Sequence, residues 1–220
     1  MKILITIIGL LFVTGLTGQK GWTTLFDGSS LAGWHTYKKT EVAGWVIENG
    51  ALTTDGKGGD LVTDKEYGDF ILEFEFKVSP KGNSGVVYKV QERGTDPAYA
   101  ATYSSGPEYQ LIDDINYPAK LNETQKTGAN YDMHPPKTLA SNPAGEWNKG
   151  SIQIKKNKIT HKVNGKVVVK YIYGDQAWKD TVAKSKFAKW PYAQAHATGK
   201  IALQGHNDQV SFKNIKIKEL

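Results

Sequence analysis

Glu108–Asp113 (EYQLID) is the run whose spacing most directly suggests chemistry. As an extended strand it would turn Glu108, Gln110 and Ile112 to one face and Tyr109, Leu111 and Asp113 to the other. A carboxylate can take or give a proton while a neighbouring amide holds a hydroxyl. The same parity pairs Gln204 with His206 in Lys200–His206, and groups Asn83, Gly85, Val87 and Lys89 in the run from Asn83 to Lys89. Packed on one surface, Glu108, His206, Lys89, Gln110, Gln204 and Asn83 would supply an acid, a base, a cation and three amides. The paired glutamates of a strand-borne glycosidase motif (ExDxxE) are absent, so a two-carboxylate mechanism has no obvious home here.

The elements that must position these groups are short β-strands. Phe70–Val78 (FILEFEFKV) alternates apolar and mostly polar residues. Trp45–Ile47 and Ala51–Thr53 flank Asn49-Gly50, and Lys158–Val163 and Lys166–Tyr171 flank Asn164-Gly165. Asn-Gly between alternating runs predicts a two-residue hairpin turn. Further strands are expected at 84–90, 151–154, 200–204 and 210–217. About ten strands without βαβ alternation predict an all-β antiparallel sandwich of the jelly-roll kind. Little helix is expected; the spacing of Trp178 and Val182 allows one short surface helix within 175–188.

Two connections, 91–107 and 116–146, are long enough to be functional. The second carries Tyr131, Met133 and His134 among four prolines, and is expected to fold over the polar face as a lid. Trp190 and Tyr192 are candidates to stack on sugar rings. Trp22, Trp34, Trp45 and Trp147 read as core. His161 could face either way, and His35 and His196 have no supporting context. Asp113, Asp114 and Asn116 could ligate calcium or could be plain turn residues. No metal site is assigned and no cofactor is expected.

Composition narrows the classes. There is no cysteine, which removes disulfides, thiolate metal sites, cysteine nucleophiles and lipoprotein acylation. The net charge is +6, but the lysines are scattered, with small clusters at Lys155-Lys156-Lys158 and Lys184-Lys186-Lys189. They read as solvated faces, and no nucleic-acid partner is expected. Residues 1–18 have the charged start, apolar run and small-residue exit of a signal peptide, too short to span a bilayer. Cleavage near Gly18–Gln19 would leave one domain, 19–220, secreted or periplasmic, with no integral membrane segment.

The chain also resembles a family. Leu25-Phe26-Asp27-Gly28, Leu31-Ala32-Gly33-Trp34, Gly59-Asp60-Leu61, Tyr67-Gly68-Asp69-Phe70, Gly82-Asn83-Ser84-Gly85, Glu108-Tyr109-Gln110, Glu146-Trp147-Asn148 and Leu203-Gln204-Gly205-His206 occur in order across residues 21–220. This set is similar to the 3-keto-disaccharide hydrolases, formerly domain of unknown function 1080. The resemblance implies a concanavalin A-like jelly roll with a concave sugar-binding face. It also implies cleavage of glycosides oxidised to a ketone at C3, by hydrolysis or by elimination, in a bacterial envelope. Lys89, where arginine is expected, and Gly205, where aspartate is common, depart from the pattern.

A C3 ketone acidifies the C2 hydrogen, because the carbanion is an enolate, and makes the C1 substituent a β-leaving group. One base, one acid and a donor near the ketone oxygen suffice. Glu108 and His206 are the expected acid–base pair, with Lys89 or Gln110 near the ketone. The competing readings are a lectin-like module that binds glycans on the same face without catalysis, and a structural envelope protein.

Overall fold

The computed structural model describes residues 21–220; the expected signal peptide lies outside them. Thirteen strands are present among the described residues: β1 (Thr23–Phe26), β2 (Trp34–Thr36), β3 (Trp45–Glu48), β4 (Ala51–Thr54), β5 (Leu61–Thr63), β6 (Phe70–Val78), β7 (Asn83–Val90), β8 (Glu108–Ile112), β9 (Asn148–Lys155), β10 (Lys158–Val163), β11 (Lys166–Ile172), β12 (Lys200–Leu203) and β13 (Val210–Glu219). One short helix, α1 (Gln176–Ala183), is capped by the Asp175 carboxylate, which accepts from Trp178 N at 2.8 Å. It buries Trp178 and Val182, the two residues whose spacing suggested it.

The strands form two antiparallel sheets, as expected for a sandwich. One runs β11-β10-β9-β6-β13-β4-β3, with β1 on the far half of β13; the other runs β2-β5-β12-β7-β8. Alternation in β6 buries Phe70, Leu72, Phe74 and Phe76 and turns Glu73 and Glu75 outward. These rings meet Tyr88, Tyr109 and Leu111 of the other sheet in one core. Both Asn-Gly turns place two successive residues at positive φ, 50° and 74° at Asn49-Gly50 and 47° and 80° at Asn164-Gly165.

A directional hydrogen-bond chain ties the sheets together. Gly128 O can only accept, so His161 Nδ1 carries the proton, at 2.9 Å. Nε2 then accepts from Tyr88 Oη at 2.9 Å, and Tyr88 Oη accepts from Tyr171 Oη at 2.8 Å. Burial pushes the His161 pKa down to about 4, against the Gly128 bond.

Two of the four tryptophans expected in the core are elsewhere. Trp34 and Trp45 are buried. Trp22 and Trp147 lie half-buried under lysine ammoniums: Lys216 is 4.6 Å from the Trp22 ring, and Lys213 is 4.1 Å from that of Trp147.

Candidate active site

Residues paired across an antiparallel ladder point to one face. Glu108 pairs with Val87, Gln110 with Gly85, Val87 with Ala202, Ala202 with Val62, and Val62 with His35. The outer face of the five-stranded sheet therefore carries Glu108, Gln110, Asn83, Gln204 and, by the same parity, Asp60. Gly85 makes the centre possible. A Cβ there would stand 2.5 Å from Glu108 Oε1, so glycine leaves the room in which the carboxyl lies across β7.

Connecting segments cover this face. Tyr37 Oη donates to Gln91 O and Tyr99 O, at 3.1 and 2.8 Å, and holds the 91–107 loop down. Asp60 accepts from Thr102 Oγ1 of that loop, and from Gly205 N at 3.0 Å. On the other side, residues 128–131 bond to the free edge of β8. Gly128 N donates to Gln110 O at 2.8 Å, and Tyr131 N to Glu108 O at 3.0 Å. Lys186 Nζ sits 4.4 Å from the Tyr131 ring and 2.7 Å from Asp132 Oδ2.

Enclosure changes the electrostatics. Burial raises the Glu108 pKa to about 8; Asp60 and Asp132 add to the rise, and Lys186 opposes it. Asp60 is also raised by burial, against the Thr102 and Gly205 bonds and the charge of His206. Gln110 Nε2 donates to Asn83 Oδ1 at 3.0 Å. Gln110 Oε1 and Gln204 Oε1 are buried with no protein donor in reach. Both amide oxygens can accept from a hydroxyl brought to this face. The site thus holds a carboxylic acid that keeps its proton near neutrality, a second carboxylate, an exposed imidazole at the rim, a cation and two vacant acceptors.

A model of the 3-keto-alpha-glucoside-1,2-lyase-like domain matches residues 21–218. The chain belongs to that family. It is 36% identical over 228 residues to a 3-keto-disaccharide hydrolase of Bacteroides thetaiotaomicron, covering 91% of this chain and 79% of that protein. A crystal structure described as a glycosyl hydrolase, from Parabacteroides distasonis, superposes with a TM-score of 0.85 at 39% identity, covering 91% and 94% of the two chains. The carbohydrate-binding module CBM66 of Bacillus subtilis shares the fold at 10% identity, with a TM-score of 0.52 over 90% of this chain and 96% of that one. The sandwich is thus the jelly roll expected of the family.

Five of the residues expected from sequence come together: Glu108, Gln110, Asn83, Gln204 and Tyr131. His206 joins them at the rim, exposed on the turn after β12. Trp190 is half-buried against Phe187 and the exposed Tyr103, with Tyr103 5.9 Å away and next in sequence to Thr102. Three expectations fail. A β-bulge opposite Ile201 inserts an extra residue in β7, with Lys89 at φ 61°. Parity breaks there, and the Lys89 ammonium donates to Gly68 O, at 2.9 Å, and to Ala197 O instead of facing Glu108. The cation beside Glu108 is Lys186. His134 stacks on Tyr171 at 4.4 Å and bonds Asn130 at 3.1 Å, so it pins the loop to β11. Tyr192 is fully buried, stacked on Phe187 and Trp178, and offers no face to a sugar.

Calcium finds no support. Asp113 accepts from Lys81 N, Ile115 N and Asn116 N, and Asp114 from Thr127 N and Ser141 Oγ. Both carboxylates are spent on turns. No metal-holding group of His, Asp or Glu occurs among the described residues. The residue missed from sequence is Asp60. It immediately precedes β5, which is three residues long and follows a glycine-rich run, so no period shows there; the signal was the Gly59-Asp60-Leu61 motif, which carried no role for the carboxylate.

Proposed function

We propose that the protein cleaves glycosidic bonds of 3-keto-glycosides on the outer face of the five-stranded sheet, by elimination across C1 and C2 followed by hydration. The observation that carries this reading is Glu108: a buried carboxyl with a pKa of about 8, facing a second carboxylate. A module that only bound sugar would gain nothing from an acid held protonated at neutral pH. In this scheme His206 removes the C2 proton, and its electrons pass to C3–O as an enolate beside Lys186. The enolate then expels the C1 oxygen, which takes the Glu108 proton. Water adds to C1 of the resulting enone and C2 recovers a proton, so the net change is hydrolysis. Asp60 holds charge next to both groups and steadies the imidazolium.

The test is incubation with a panel of 3-keto-glycosides in deuterated water, with products followed by NMR. Deuterium at C2 beyond that in a control of product alone supports elimination; cleavage with hydrogen retained at C2 leaves direct hydrolysis. Binding without cleavage of any member would replace this reading with the lectin-like one. Export is also part of the proposal, resting on the character of residues 1–18. Mass spectrometry of the protein from its native host should find a new N-terminus near Gln19, and a chain starting at Met1 would refute it.

A further inference from the structure

The opposite side of the sandwich carries a charge pattern that glycoside cleavage does not use. From Asn148 to Tyr173 the chain has seven lysines (149, 155, 156, 158, 162, 166 and 170) and no aspartate or glutamate. These residues form β9, β10 and β11, three consecutive strands of the eight-stranded sheet ending at its edge. Register stacks their outward side chains in rows. Gln153 pairs with Thr160 and Thr160 with Lys170; Lys155 pairs with Lys158 and Lys158 with Ile172. A groove of about 560 Å³ runs over them, lined by Gln153, Lys155, Lys156, Lys158, Thr160 and Lys170.

Elsewhere on this sheet lysines face carboxylates: Lys213 pairs with Glu75 and Lys216 with Glu73. Among the described residues, the ammoniums of Lys155, Lys156, Lys158 and Lys170 have no carboxylate within ion-pair distance and all four side chains are exposed; the nearby Asp69 carboxylate accepts from Lys156 N at 2.7 Å. Register brings the backbones of these lysines onto neighbouring strands, about 4.8 Å apart, which concentrates positive charge on one stretch of the face.

We propose that this groove binds an acidic polysaccharide, a chain bearing carboxylates or sulfates. The groove is shallow and follows the register rows across three strands, which suits an extended chain. Gln153 and Thr160 offer hydrogen bonds to hydroxyls between the charges, and Ile172, 45% exposed at the rim, offers apolar contact to sugar C–H faces. Tyr171, the aromatic residue that lines the groove, has its hydroxyl bonded to Tyr88 in the core, so its ring does not stand up to stack a nucleobase as single-strand nucleic-acid grooves require. The inference is independent of the chemistry at Glu108, which lies on the other sheet.

The experiment measures binding of the full chain to polygalacturonate and dextran sulfate, with neutral dextran, phosphatidylglycerol vesicles and duplex DNA as comparisons. Binding to one or both acidic glycans, weakened by salt and absent with neutral dextran, is expected. Lys155→Gln/Lys158→Gln/Lys170→Gln should weaken it roughly tenfold or more. Lys39→Gln/Lys120→Gln/Lys179→Gln removes the same charge elsewhere and should leave it within about twofold. Cleavage of a small 3-keto-glycoside should be equal in both variants and wild type. No glycan binding, equal loss in the two triple variants, or tighter binding to vesicles or DNA than to acidic glycan would each overturn the proposal.

Discussion

Glu108 on β8 and Glu73 and Glu75 on β6 all point outward from their sheets, Glu108 on an edge strand and the two others on a central one. Their surroundings differ. Glu73 and Glu75 are partly exposed, their side chains 44% and 23%, and pair with Lys216 and Lys213 at 3.2 and 3.5 Å. Glu108 is 8% exposed, roofed by segments from three connections, with a pKa of about 8. A strand presents a carboxylate to a face; the loops over that face decide whether it is a solvated charge or a stored proton.

The sharpest way to break this contrast is Glu108→Gln, which keeps shape but removes the titrating group. Its turnover of a 3-keto-glycoside should fall about 10²–10⁴-fold with unchanged circular dichroism. Turnover within a few-fold of wild type would remove Glu108 from the chemistry. Next comes Gly85→Ala. The added methyl would displace the Glu108 carboxyl from its seat across β7, and kcat/KM should drop at least tenfold while the melting temperature falls by only a few degrees. The pH profile gives a third test. Activity that uses Glu108 as an acid should decline as pH rises through about 8, and Asp60→Asn, which removes a charge that raises that pKa, should move the decline to lower pH. An unmoved limb would show that Asp60 does not couple to Glu108. The smallest effect belongs to Glu75→Gln: less than about 0.5 kcal/mol in urea unfolding and no change in turnover.

The same contrast explains what could be read from sequence. Strict alternation exposed β6 and the faces of β8 and β12, and Asn-Gly exposed both hairpins, because those are local properties of the chain. Parity therefore brought Glu108, Gln110, Asn83 and Gln204 together correctly. It failed at Lys89 because a bulge is set by the partner strand and leaves no mark in composition. Strands β1, β2 and β5, three or four residues each, are too short for a period, and Asp60 was lost with β5. Trp22 and Trp147 were misplaced because a tryptophan under a lysine reads like one in a core. Gly205 is a departure with a physical reason: a Cβ there would lie 2.6 Å from Gly59 O, so aspartate has no room while Gly205 N serves Asp60.

The chain of donors that ends on Gly128 has a consequence for how the molecule tolerates acid. His161 has a folded pKa of about 4 against an ordinary 6.5, so its contribution to stability is whole above pH 6.5 and drains away as pH falls toward 4. Glu108 works in the opposite sense. With a folded pKa of about 8 against 4.5, its contribution is whole below pH 4.5 and drains away as pH climbs to 8. Between about pH 4.5 and 6.5 the two slopes, each about 1.4 kcal/mol per pH unit, are equal and opposite. The acid on one sheet and the base between the sheets thus offset each other under mildly acidic conditions. Glu108→Gln removes the falling contribution, so stability should climb more steeply with pH over that interval than it does in the wild type.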